Sequence, residues 1–509
     1  MYNKIERFQN GTTNSVTENG AVGYASSGTA LVDFNFGISS FRNSDVRTIW
    51  EAFYAAFRED ADLAFRMLFF ARDVRAGMGE RRLFRVCLAN LMRKREQLGI
   101  KVDVIKLCQY IMKYGRADDM LVLLDTDCRD GVVSFILETL KADMKAMENK
   151  EPVTLLAKWL PTPNTSSKKT RALARKLATK LCMTDKQYRK TLSALRSYSD
   201  VIEVKMTANE WGKINYNAVP SKANLAYKQA FIRHDGTRRA EYLEALNKGD
   251  KEVKINASVA YPCDIVHKYM TNNWYISKYD ATLEAMWKAL PDMVKGDSST
   301  IVVSDGSGSM TRVVDDKSGM TPLNVAQSLA IYFSERAKGD YKDTFITFSE
   351  RPRIVHLGDC ASLHDKLNKM SSYNEVANTN IEAVFDLILN TAVTNNMSQD
   401  EMPDRILILS DMEFDACVRT DSDGIVTKVL FEELQSRYAE KGYKMPRLVF
   451  WNIYSRTRTV PVQENDAGVA LVSGFSPNIM EMVMSNETDP FKCLKAKLMT
   501  YDIGDALWV

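Results

Sequence analysis

The chain has 509 residues, 45% of them hydrophobic and 26% charged, with a formal net charge of +3. That length exceeds one ordinary domain, and that composition excludes a disordered, collagen-like or disulfide-stapled chain. No apolar run reaches the roughly 18 residues of a membrane helix. The polar start MYNKIERFQNGTTNS has no signal-peptide core, so a cytoplasmic protein without a membrane partner is expected.

In chain order, residues 1–43 are rich in Gly, Ser, Thr and Asn and read as an irregular arm. Ser44, followed by Asp45, is a good helix cap, and Ile49, Trp50, Phe53, Tyr54 and Phe57 then recur at helical spacing. Further helices are expected over Asp60–Arg75, from Glu80 to Leu98, and in VIKLCQYIMKYG, VVSFILETLKADMKAM and PVTLLAKWL. More follow over Ser166–Leu181, over Lys186–Tyr198 and at the end of ANEWGKINYNAVPSKANLAYKQAFIRHD. A charged connector follows Asn247, and a last helix covers Ala281–Val294. Short helices with short loops suggest an all-α helical-repeat (HEAT-like) domain over 44–296, with no clean repeat period.

The pattern changes at 297. TIVVS, TFITF, RILILS, RLVFWNIY and GVALVSG are continuous apolar strands, and amphipathic helices lie between them. Buried strands alternating with helices predict an α/β doubly wound, largely parallel sheet over 297–509, with RPRIVHLG as an antiparallel edge. The two regions differ in charge. Residues 151–200 hold 11 Lys and Arg against 3 acids, whereas 301–450 hold 16 against 23. The first can attract a polyanion and the second a cation.

Ligands of open parallel sheets bind beyond the carboxyl ends of the strands. Three loops expected there carry oxygen donors: Asp305, Ser307 and Ser309 in SDGSGSM, Thr379 in NTNIE, and Asp411 in LILSDMEFD. Two carboxylates and three hydroxyls form a hard donor set suited to Mg²⁺ first, and also to Mn²⁺ or Ca²⁺. The glycines of the first loop permit a tight backbone. The other readings of that loop fit less well. There is no GxxxxGK[ST] phosphate loop, no second Asp beside Asp305 for a phosphotransferase, and no motif linking a serine to any of the four histidines. The eight cysteines form no CxxC pair, so neither zinc nor disulfides are indicated. No catalytic constellation is visible, and the protein is read as a non-enzyme.

DxSxS after a strand, a Thr before a later helix and an Asp after another strand resemble a von Willebrand factor A domain and its metal-ion-dependent adhesion site. The resemblance implies Asp305, Ser307, Ser309, Thr379 and Asp411 as the metal set, with a partner's carboxylate often completing the sphere. Asp411-Met-Glu departs from that family's more common Asp-Gly continuation.

In the helical region, RDVRAGMGERRLFR places Arg72, Arg75, Arg81, Arg82 and Arg85 around a Gly-rich turn, with Asp73 and Glu80 as expected ion-pair partners. The stronger signal lies downstream. Asn164, Thr165, Ser166 and Ser167 precede a helix start, and Lys168, Lys169, Arg171, Arg175 and Lys176 follow at once. Lys186, Arg189, Lys190 and Arg196 extend the positive field. Clustered cations at a helix start suit phosphates, and so few acids offset them that a nucleic acid is the favoured partner. Tyr188, Tyr198 and Trp211 are aromatics able to stack on bases, although core packing is the plainer reading of Trp211.

A helical array before a von Willebrand-type domain resembles the Ro autoantigen family of RNA-binding proteins, whose array is the TROVE module. RDVRAGMGERRLF is similar to the Arg-rich turn of that array. LAKWLP, YRKTLSALR and VPSKANLAYKQAF resemble a little-characterised Ro-like branch. The resemblance implies a ring of helices that binds single-stranded RNA ends or structured small RNA, in a ribonucleoprotein, with a monomer expected. Two alternatives remain: a metal-dependent protein-interaction scaffold without RNA and, more weakly, a metal-dependent nuclease.

Overall fold

The computed structural model describes residues 14–17, 22–272, 275–294, 299–316, 318–375, 379–413, 428–458, 469–484 and 489–508. Residues 1–13 and 18–21 of the expected arm lie outside them, as does Cys417. An all-helical region over about 30–300 is followed by a mixed α/β domain, which is the expected fold class. No helix among the described residues is long and apolar enough to cross a membrane.

The sheet has six strands: β1 (Thr300–Asp305), β2 (Thr344–Phe348), β3 (Ile354–His356), β4 (Arg405–Ser410), β5 (Arg447–Asn452) and β6 (Val469–Ser473). Their spatial order is β3-β2-β1-β4-β5-β6. All neighbours are parallel except β2 and β3, so RPRIVHLG supplies the antiparallel edge. The chain winds outward from β1 through β2 to β3, then crosses back to β4 on the other side of β1. Strand order therefore reverses between β1 and β4, where ligand crevices form in such sheets.

One face of the sheet packs Ile301, Val303, Ile346, Ile406 and Ile408 against Ile381, Val384, Phe385 and Ile388 of the Ile381–Thr394 helix. The other face meets the Pro322–Arg336 helix, buried at every residue from Pro322 to Ser334. An amphipathic surface helix would leave one side wet. Here the Pro262–Tyr269 helix covers the outer side, and its first two residues end the segment read as a connector.

The chain divides into two compact units. The unit around the sheet comprises 1–67, 76–78 and 257–500. Residues 30–42, expected to be irregular, form an α-helix (Ala30–Gly37) and a 3₁₀ turn (Ile38–Arg42). Leu31, Val32, Phe34 and Phe36 are buried, and Phe36 joins the sheet core. Its carbonyl accepts from Asn452 Nδ2 at 2.8 Å, and the Ser39 and Ser473 hydroxyls lie 2.8 Å apart. Gly37 and the polar Ser and Thr before it mask this helix in the sequence, and burial of its apolar residues overrides their propensity.

The helical unit comprises 68–75, 79–256 and 501–509. The first helix of the chain's helical run, Val46–Glu59, belongs to the other unit and is capped by Asp45, whose side chain accepts from Thr48 N at 2.9 Å, one residue past Ser44. Within the helical unit, Arg72 and Arg85 of the Gly-rich turn pair with carboxylates other than the expected Asp73 and Glu80. Asp119, fully buried, accepts from Arg72 Nε at 2.7 Å and Arg85 Nε at 2.5 Å, while Asp118 takes Arg85 Nη2 at 2.8 Å. These carboxylates lie more than thirty residues downstream, beyond the reach of a local pairing rule. The end of the chain returns to this unit: Leu507–Trp508 pairs antiparallel with Lys101–Val102, and Asp505 accepts from Lys106 Nζ at 2.8 Å.

Candidate functional site

Asp305 is the last residue of β1 and Asp411 the first after β4, so parallel neighbours deliver two carboxylates to the strand-order reversal. Each is only 1% exposed. Asp305 Oδ1 accepts from Ser307 N at 2.9 Å, and Oδ2 accepts from Ser410 Oγ at 2.6 Å. The hydroxyls of Ser307 and Ser309 lie 3.1 Å apart, and Ser309 favours the ionised form of Asp411. Burial and then the Asp411 charge push the Asp305 carboxyl well above the usual range. Burial also raises Asp411, against the opposing pull of Arg456. Two buried like charges are costly, and a cation between them relieves both penalties.

The structure therefore joins Asp305, Ser307, Ser309 and Asp411. Thr379 is 5% exposed and stands directly before Asn380, the cap of the Ile381–Thr394 helix. Gly306 serves a need of space: a Cβ there would meet Asn374 Oδ1 at 2.8 Å. Among the described residues no group of three or more His, Cys, Asp or Glu side chains is placed to hold a metal ion. An ion here would rest on two carboxylates plus hydroxyl and water oxygens, a set Mg²⁺ accepts.

The third loop keeps a glycine-like backbone without a glycine. Met412 has φ 61°, in the left-handed region, and its side chain is buried. That conformation costs a non-glycine residue about 1–2 kcal/mol. The turn carries Glu413 inward to 2% exposure, where it accepts from Arg456 N at 2.6 Å, Thr457 N at 3.0 Å and the Thr457 hydroxyl at 3.2 Å. The segment after β5 is thereby fixed, and Arg456 Nη1 reaches Asp411 Oδ2 at 2.7 Å. Ser410, Glu413 and Arg456 were not among the sequence candidates. The one signal was the Met-Glu that follows Asp411; nothing local to Arg456 marks it.

In the helical unit the basic segment forms two helices, Lys168–Lys180 and Asp185–Tyr198, capped by Ser167 and Thr184. Lys168, Lys169, Arg175, Lys176, Lys186, Arg189 and Lys190 are exposed, and Arg171 is half-buried. Arg175 and Lys176 make surface pairs with Asp185 and Asp125 at 3.3 and 2.5 Å. Arg196 plays a structural part: it donates to the Ala157 and Leu160 carbonyls at 2.9 and 2.7 Å, and burial lowers its pKa. Tyr188 is fully buried, with its hydroxyl on the Pro161 carbonyl at 2.9 Å. Trp211 is half-buried: it stacks on His234 at 4.4 Å and packs against the small core around Phe231. Of the aromatics singled out, Tyr198 is exposed, at 39%. Among the described cysteines there is no disulfide, and Cys87, Cys108, Cys128 and Cys263 are buried.

Comparison with known proteins gives similarities along nearly the whole chain. Residues 17–95 and 129–299 match a family described as a domain of unknown function (DUF2828). Residues 299–497 match another, also described as a domain of unknown function (DUF7788). Neither description names the Ro autoantigen family. An uncharacterized protein, L728, of Acanthamoeba polyphaga mimivirus is 29% identical over 524 aligned positions, covering 96% of this chain and 87% of that protein. The chain is thus similar to a DUF2828 domain followed by a DUF7788 domain, with the change between them at residue 299, next to the first strand of the sheet.

Proposed function

We propose that the protein binds RNA through the helices Lys168–Lys180 and Asp185–Tyr198, and holds a divalent cation, Mg²⁺ foremost, at Asp305 and Asp411. The observation that carries the RNA reading is charge with little compensation. Residues 168–196 contain ten Lys and Arg against one acid, Asp185. Helix starts favour acids, yet the Lys168–Lys180 helix has none in its first turn and opens on two lysines. Phosphate offsets that unfavourable placement and releases counterions as it binds. The order of a helical array before a strand-ended DxSxS loop resembles the Ro family and supports a Ro-like ribonucleoprotein component, with single-stranded ends or structured small RNA as ligands. Filter binding of both RNA types at several salt concentrations tests it. Salt-sensitive retention is expected; no retention even at the lowest salt refutes it.

A second reading is a protein-interaction scaffold, favoured by the paired buried carboxylates at the strand-order reversal. A cation there would present an open position to a partner's Asp or Glu. Chelator-sensitive, nuclease-resistant pull-down supports this reading; nuclease-sensitive pull-down supports RNA. Calorimetric titration with Mg²⁺ of the wild type and Asp305→Ala tests the cation itself, and equal heats would sink it.

A further inference from the structure

We infer that Arg456 is an exchangeable internal cation: it and a divalent ion contend for Asp411, so that the arriving ion turns the guanidinium out of the sheet edge. The inference rests on the cation reading of Asp305 and Asp411 given above.

Each of the four carboxylate oxygens is engaged. Ser307 N and Ser410 Oγ bond the two of Asp305, and Glu413 N and Arg456 Nη1 bond the two of Asp411. The first three donors sit in the chain beside one carboxylate or the other: two belong to the turns themselves, and Ser410 reaches Asp305 from the neighbouring strand. Arg456 alone of the four comes from a separate loop, carries a full charge and stands on a long stem. Its side chain is 13% exposed against 1% for Asp411, so it has a path to solvent that the carboxylate lacks. A cation bound by the same carboxylate would face the guanidinium as a like charge, and the two repel strongly in so dry a place. One guanidinium leaves a pair of carboxylates undercompensated, whereas a divalent ion matches them.

The tether of the loop gives the exchange its form. Glu413 holds the backbone at Arg456 and Thr457, and Ser455 N donates to Asn452 Oδ1 at 2.8 Å. The backbone therefore stays in place while the side chain swings. The departure from Asp-Gly after Asp411 acquires a purpose here: Glu413 anchors the arm that carries the competing cation.

The test is Mn²⁺ binding to the full chain, followed by electron paramagnetic resonance, in the wild type, Arg456→Gln, Arg456→Lys and Asp411→Asn. Arg456→Gln should bind Mn²⁺ at least tenfold more tightly than the wild type, Arg456→Lys should fall between them, and Asp411→Asn should lose binding. A second measurement needs no variant. Mg²⁺ should raise the reaction of Arg456 with phenylglyoxal severalfold, read by peptide mass spectrometry, and leave the already exposed Arg458 unchanged. Equal or weaker binding by Arg456→Gln, with binding abolished in Asp411→Asn, overturns the exchange and leaves the cation reading standing. Arg456 reactivity indifferent to Mg²⁺ in a protein that binds Mn²⁺ overturns it likewise. Absence of Mn²⁺ binding in both the wild type and Arg456→Gln overturns the cation reading and the exchange together.

Discussion

At the sheet edge, Asp305, Asp411 and Glu413 are almost wholly buried and Arg456 nearly so, and each makes hydrogen bonds to residues on neighbouring loops. Along Lys168–Arg196 the reverse holds: seven of the nine cations singled out are exposed, and their pairs lie on the surface. Burial separates the two. A buried charge is costly unless paired, so its partners are fixed and losing one is severe. An exposed charge is screened and mobile, so individual pairs matter little and the summed field matters most.

The largest effect should come from a buried pair inside the helical unit. Asp119→Ala strands the buried Arg72, leaves Arg85 with Asp118 alone, and should cost about 3–5 kcal/mol in urea unfolding. A loss under about 1 kcal/mol would mean that burial does not govern charge here. Next comes the summed field. Lys168, Lys169, Arg171 and Arg175 changed together to Ala should weaken single-stranded RNA binding by about a hundredfold at low salt. The same change should flatten the log–log salt dependence by up to about 3. An unchanged slope would move the RNA contact elsewhere.

Smaller effects sharpen the contrast. Tyr188→Phe removes a buried hydroxyl from the Pro161 carbonyl and should cost about 1–2 kcal/mol while leaving RNA affinity intact. Lost RNA affinity at unchanged stability would mean that the Tyr188 hydroxyl serves RNA rather than the Pro161 carbonyl. Smallest is Asp125→Asn, which frees Lys176 from a surface pair. Its stability change should stay within about 1 kcal/mol, with RNA bound equally or slightly more tightly. A larger loss would show that this pair acts as a buried one does.

Much of the candidate site was legible because its residues terminate elements with strong local signals. Apolar runs ending in Asp305 and Ser410 could only be buried strands, and the parallel pairing of β1 with β4 follows from their alternation with helices. The Ser167 and Thr184 caps, and the helices they open, were readable for the same reason. Arg456 was not legible. It approaches Asp411 from 45 residues away, and neither spacing nor periodicity marks such a meeting. Met412 was misleading in itself, since a Met in the left-handed region contradicts its propensity and is tolerated because its side chain is buried.

By itself the sequence determined the helical and α/β regions, the strands of the sheet, the DxSxS loop and the net positive field of residues 168–196. All follow from short-range periodicity, turn chemistry and composition, which are properties of neighbouring residues. The tertiary structure decided what distance along the chain conceals. It put Phe36 in the sheet core, Asp119 between two arginines, Tyr188 out of reach of a ligand and Arg456 on Asp411. Each is a choice among partners that burial makes and local sequence does not encode, because desolvation energy depends on everything packed around a group.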